Sequence, residues 1–267
     1  FTGDAGQGES NIRRWIIEND WLEAIVALPE NMFYNTGIAT YIWLLSNRKS
    51  SERKGKVQLI DASGWFVPLR KNLGKKNCEF SEGQIQQIAD LIVNPRETEQ
   101  SKIFPNEAFG YHKITVERPL KLKDIDPEKA YSPKEIKALV AEGKADENGI
   151  PVIKKIHKSG KADPLHGLFG RTIGAKKCLV EYEQDSNLRD TEQVPLLEDG
   201  GIEAFFKREV LPYVPDAWID ESKTQIGYEV SFTRYFYKPV QMRTLEEIMA
   251  DIRDIEKETD GLLNEIV

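Results

Sequence analysis

Apolar positions gather first in two stretches, Ala24–Leu28 and Ile38–Leu45. Continuous apolar runs of this length suit strands of a sheet covered on both faces. Leu22–Leu28, closed by Pro29, and Ile38–Leu45 are therefore predicted strands, with Val57–Asp61 a third. Ahead of them, Asn11–Asn19 carries Ile12, Trp15 and Ile16 at i, i+3 and i+4, one face of a helix. Gln84–Val93 repeats that spacing with Ile85, Ile88, Leu91 and Ile92 turned toward a core, and Asn94-Pro95 stops it. Phe109–Arg118 has strand character and ends at Pro119.

From Pro119 to about Lys177 the pattern thins into a lysine-rich, sparsely apolar stretch that reads as an insertion or linker. Within it, Ser132-Pro133-Lys134-Glu135 has the form of a capping box, with proline at the first helical position. Further on, Ile202–Leu211 is a predicted helix closed by Pro212, and Tyr228–Tyr237 alternates as a half-buried strand should. Thr244 with Glu247 forms a second capping box. It opens a long helix in which Leu245, Ile248, Ile252, Ile255, Thr259, Leu262 and Ile266 recur as a heptad seam. Gly261 weakens that helix by roughly 1 kcal/mol relative to Ala. The divisions expected are 1–119, 120–188 and 189–267.

Charge changes this picture in one place. The 267 residues carry a net charge of −7, yet residues 48–76 hold nine cations (Arg48, Lys49, Arg53, Lys54, Lys56, Arg70, Lys71, Lys75, Lys76) against Glu52 and Asp61. A basic stretch on an acidic chain marks either a polyanion-facing side or an ordinary solvated loop. The candidates for DNA backbone contact are Lys54, Lys56, Lys71 and Lys75. Cys78 and Cys178 lie far apart, which fits a reducing cytoplasm rather than a disulfide framework. No apolar run approaches the roughly 20 residues of a membrane helix. The chain opens at Phe1 without Met, as if cut from a longer protein.

Several motifs carry little chemistry. Phe1–Gly8 is glycine-rich but fits neither the dinucleotide nor the P-loop spacing. His112, His157 and His166 with two distant cysteines offer none of the paired spacings that zinc needs, so no metal site is expected. No G-x-S-x-G elbow is present, and no catalytic residue is assigned.

The run from Gly8 to Lys49 (GESNIRRWIIENDWLEAIVALPENMFYNTGIATYIWLLSNRK) closely resembles the segment after the catalytic tetrad in modification subunits of type I restriction-modification systems. Family-like pieces recur at Lys56–Ala62, Phe109–Pro119, Asp190–Pro195, Pro215–Asp220 and Gly227–Tyr237. The resemblance implies an α/β fold: the C-terminal part of a Rossmann-like methyltransferase sheet, then a mostly helical region ending in the heptad helix. It implies methyl transfer from S-adenosylmethionine to adenine N6 in DNA, with cofactor and tetrad motifs lying before this stretch, so the chain alone is expected to be inactive. Such enzymes turn the base out of the duplex and stack it on an aromatic ring. By position Phe33 is that ring, with Tyr34 and Asn35 beside it; an isolated Phe otherwise simply packs a core. The implied partners are DNA, a second modification subunit, and the specificity and restriction subunits. The heptad positions Leu245, Ile248, Ile252, Ile255, Leu262 and Ile266 are the expected grip on the specificity subunit's helices. Two alternatives are a non-catalytic assembly and DNA-clamping module, and a polypeptide fused to its specificity region.

Overall fold

A computed structural model describes residues 3–239 and 243–266; the side chains of Glu258 and of residues 260–266 are outside the described set. Contacts divide the chain into two units, 1–231 and 232–267.

The first unit starts with helix α1 (Gly8–Glu18) and strands β1 (Leu22–Leu28), β2 (Thr40–Leu45) and β3 (Lys56–Asp61). A hairpin of β4 (Val67–Leu73) and β5 (Lys76–Glu79) follows, then α2 (Glu82–Val93) and β6 (Ser101–Pro105). The sheet order is β2-β1-β3-β6, with β1 and β3 parallel and the outer two strands antiparallel to their neighbours. β1 and β3 are buried nearly throughout, as continuous apolar strands should be. Helix α2 starts at the Ser81–Gln84 capping box and covers one face, where Val26, Leu28, Ile60, Ala62 and Leu91 form a core. Buried Gln58 ties the layers together by donating to Leu91 O (3.0 Å) and Ser101 Oγ (2.8 Å).

Two expectations change here. β2 is not covered on both faces: Ile42 and Leu45 are exposed, because β2 is the outer strand of the sheet among the described residues. Helix α1 buries Ser10, Arg13 and Ile17, not the Ile12–Trp15 stripe, which faces outward. Arg13 Nε donates to Tyr228 O (2.7 Å) and Nη2 to Gly3 O (2.9 Å), while Ser10 Oγ accepts from Tyr228 N (3.1 Å). Backbone partners more than 200 residues away thus decide which face of α1 goes inside.

A second sheet centres on β7 (Gly110–Glu117). After it come β8 (Lys121–Leu122), α3 (Pro133–Ala141), β9 (Ile150–Pro151), β10 (Ile153–His157), β11 (Phe169–Ile173), β12 (Lys176–Tyr182) and β13 (Asp190–Pro195). Next are α4 (Gly201–Phe205), β14 (Trp218–Ile219) and β15 (Gln225–Tyr228). β13, β14 and β15 all pair antiparallel with β7. α4 and the wide turn after it, Phe206–Val210, pack on Ile114, Val116, Val194 and Ile219.

The lysine-rich middle is folded. Leu122, Ile125, Tyr131, Ile136 and Val152 make a small core of their own, beside a three-stranded sheet β10-β12-β11. Its apolar residues are scattered over turns and very short strands, which hides them from a periodicity search. Of the stretch expected to be mostly helical, 189–267, the part up to Ser231 mixes the strands β13, β14 and β15 with the short helix α4, and the long helix comes after it.

The second unit holds α5 (Phe232–Phe236) and α6 (Leu245–Ile266). The predicted strand at Tyr228–Tyr237 stops at Tyr228 and gives way to α5. Phe232 and Phe236, whose rings stack at 5.7 Å, satisfy a spacing of two and of four alike, so alternation misreads them. α6 begins at the expected Thr244–Glu247 capping box. Leu245, Ile248, Ile252 and Ile255 are exposed along it; the side chains of Leu262 and Ile266 lie outside the described residues. No described helix is long and apolar enough to cross a membrane.

Candidate nucleic-acid interface

The parallel pair β1 and β3 gives the first sheet two chemically different ends. In α/β sheets, ligands meet the loops beyond the carboxyl ends of parallel strands. At that end lies the loop of residues 29–39 after β1, and after β3 the chain runs through Trp65 and Phe66 into the β4–β5 hairpin.

The loop is built around a tight turn. Thr36 N donates to Phe33 O (3.3 Å), and Asn35 sits at φ 56°, a left-handed conformation that asparagine tolerates better than most residues. Leaving a strand that ends in proline and turning at once, the segment cannot draw Phe33 or Tyr34 into the core. Phe33 is 46% and Tyr34 68% exposed.

The hairpin is locked onto this loop. Asn77 N donates to Asn31 O (3.0 Å), and Cys78, buried, points its thiol at Glu30 O (3.3 Å). Gly74, at φ +61°, turns the hairpin so closely that a Cβ there would lie 2.6 Å from Asn35 Oδ1 and 2.9 Å from the Tyr34 ring. Tyr34 and Asn35 thus lie against the hairpin turn, and a Cβ on Gly37 would lie 3.7 Å from Lys75 Cδ; Phe33 belongs to the same tight turn, and Arg70, Lys71 and Lys76 to the same hairpin. None of these four cations takes part in an ion pair among the described residues. The anions nearby are Glu30, in the loop itself, Glu79, on β5, and Asp61, at the end of β3. Burial, and after it the Asp61 charge, raise the Tyr41 hydroxyl above its ordinary range, so Tyr41 stays neutral beside the loop.

Lys54 and Lys56 are not part of this arrangement. Lys56 opens β3, level with the start of β1, so both lysines sit at the opposite end of the sheet. A seven-residue strand separates them from Phe33 by roughly 20 Å. At that far end Arg48, Lys54 and Lys56 are exposed, while two cations, Lys49 and Arg53, are internal fixtures. Lys49 Nζ is 2.5 Å from Asp20 Oδ1 and donates to Lys56 O (2.9 Å), and Arg53 faces Glu23 at 3.6 Å. Burial pushes the Asp20 carboxyl up, but hydrogen bonds from Lys49, Asn106 and Gly55 N take it below the usual range.

Sequence reasoning assigned no role to Arg70, Lys76 or Tyr41. A Gly-Lys turn between two short runs (Leu73-Gly74-Lys75) was the available sign of the hairpin.

The glycine-rich opening does not fit a methyl-donor pocket. Asp4 pairs with Lys113, which holds its carboxyl low, Ala5 is buried, and a Cβ on Gly6 would lie 2.5 Å from the Gln225 side chain. Its backbone is packed on β7 and β15, and no cofactor step is derived through it. Among the described residues no group of three or more His, Cys, Asp or Glu could hold a metal ion.

Comparison with known proteins agrees with the resemblance over the first sheet. Residues 4–109 match the family model described as N-6 DNA Methylase. The type I restriction enzyme HindI methylase subunit of Haemophilus influenzae is 48% identical over 84 residues, 32% of this chain and 18% of that protein. The MjaVII methylase subunit of Methanocaldococcus jannaschii is 37% identical over 91 residues, 33% of this chain and 15% of that one. The match thus spans under a fifth of these relatives. A crystal structure of a type I restriction-modification system methyltransferase subunit from Streptococcus thermophilus is 25% identical, covering 38% of this chain and 20% of that one, with a TM-score of 0.33. Over its first part the chain is similar to the N-6 DNA methylase family, and the relatives it resembles there are type I methylase subunits.

Proposed function

We propose that this chain is the C-terminal part of a type I modification subunit, and that the carboxyl end of its first sheet receives the target adenine of DNA. The observation that carries this reading is the junction of loop and hairpin: an exposed Phe33–Tyr34 pair in a turn locked onto a hairpin whose four cations take part in no ion pair among the described residues. An aromatic face offers stacking worth about 1–3 kcal/mol per base, and flanking lysines meet phosphates. Phe33 is the stacking residue, Tyr34 and Asn35 shape the turn around it, and Lys71 and Lys75 contact the backbone.

On this reading the full modification subunit binds S-adenosylmethionine, and the isolated chain transfers no methyl group. It works in the cytoplasm with DNA, a second modification subunit, and the specificity and restriction subunits. The exposed Leu245, Ile248, Ile252 and Ile255 of α6 are the positions proposed to meet the specificity subunit. The alternative of a non-catalytic clamp shares the hairpin but needs no stacking residue.

Phe33→Ala and Phe33→Trp in the assembled enzyme separate the two. Transfer of labelled methyl groups should fall by about 10- to 100-fold in the Ala variant, as loss of one stacked base requires, and recover in the Trp variant. Wild-type transfer by Phe33→Ala would remove the stacking assignment.

A further inference from the structure

The three-stranded sheet β10-β12-β11 lies outside the stretch that matches the methylase family, 4–109. From Ile153 to Cys178 the chain carries Lys154, Lys155, Lys158, Lys161, Arg171, Lys176 and Lys177 against Asp163 alone, in a protein of net charge −7. The fold gathers this charge around a cavity.

The segment after β10 passes over one face of the sheet. A Cβ on Gly160, at φ +143°, would lie 2.8 Å from Leu179 Cδ1, so the crossing stays close because glycine stands there. Between segment and sheet is an open cavity of about 790 Å³, lined by Lys158, Ser159, Thr172 and Lys177. Thr172 and Lys177 are register partners and share a face, which Gly170 and Leu179 extend.

The acidic groups around it are already engaged. Glu181 pairs with His157, Asp163 lies 2.9 Å from His166, Glu183 lies 3.4 Å from Lys154, and Glu128 accepts from Gly174 N (3.1 Å). Arg171 turns its guanidinium to Pro127 O. Lys155, Lys158, Lys161, Lys176 and Lys177 are exposed, and none has an ion-pair partner among the described residues.

We infer that this cavity is a second DNA-backbone site, in which Lys158 and Lys177 meet phosphates and Ser159 and Thr172 donate to their oxygens. Lysines suit phosphate as point charges, and hydroxyls complete the contact without reading sequence. An open cavity of this size accommodates a strand running through it better than a lone ion. That the polyanion is DNA rests on the function proposed above; the cavity and its charge do not.

The test is binding of a fluorescein-labelled duplex of about 20 bp to the whole chain as salt rises, with two contacts removed in Lys158→Gln/Lys177→Gln. Both lysines are exposed, so the fold should survive, and Lys158→Arg/Lys177→Arg should keep binding. The expected result is a log–log salt slope shallower by about 1.8, with affinity down by about 60-fold at about 0.1 M salt. An unchanged slope, failure of the native chain to bind the duplex, or loss only of poly-glutamate binding would each overturn the inference. Failure of the Phe33 assignment leaves this slope untouched, and a slope change confined to Lys71 and Lys75 overturns this site while keeping that assignment.

Discussion

The two ends of the first sheet draw on one basic stretch of sequence and use it in opposite ways. At the amino end of β1, Lys49 is buried against Asp20, and Arg53 faces Glu23. At the carboxyl end, Arg70, Lys71, Lys75 and Lys76 project from a hairpin anchored to an aromatic loop, without ion-pair partners among the described residues. Local composition cannot distinguish the two cases. A buried cation without a partner is costly, so such lysines come with carboxylates delivered by the fold. A cation left in water costs nothing and remains available to a ligand.

Removing one cation at each end breaks this contrast most strongly. Lys49→Ala leaves Asp20 without its ion partner, and chemical denaturation should show a loss of about 3 kcal/mol, the low end for breaking a buried pair, since Asp20 is partly exposed. Lys71→Ala should stay within about 0.5 kcal/mol of the native protein. Equal losses would mean that both ends are structural.

A smaller effect is expected in acid. The Asp20 carboxyl titrates lower in the folded chain than its ordinary value of about 3.9. Its contribution is therefore complete above that value and is lost as pH falls through the folded value. Asp20→Asn should make stability less steep in pH below about 4; a profile that stays parallel to the native one would show that Asp20 is not a source of the acid lability.

Much of the first sheet was legible because β1 holds the continuous apolar run Ala24–Leu28 and β3 is apolar at Val57, Leu59 and Ile60. Helix α2 was legible because its apolar spacing and the Asn94-Pro95 stop agree; its capping box at Ser81, and with it the true start, emerged from the structure. The face of α1 was not, since Arg13 is drawn inside by Tyr228 O, a partner no local window contains. The β4–β5 hairpin was hidden because its strands are exposed and charged, so it lacks the alternation that marks a half-buried ribbon. Phe33 was singled out through family resemblance, and its role is a proposal. The residues that make its loop a charged junction, Gly74 and the hairpin cations, emerged only from the packing.

The most direct measurement compares salt slopes of duplex binding for Lys71→Gln/Lys75→Gln and Lys54→Gln/Lys56→Gln. The first pair should flatten the slope by about 1.8 and the second should leave it unchanged. Equal flattening by both, or an effect of Lys54 and Lys56 alone, would contradict the division of the sheet into a structural end and a DNA-facing end.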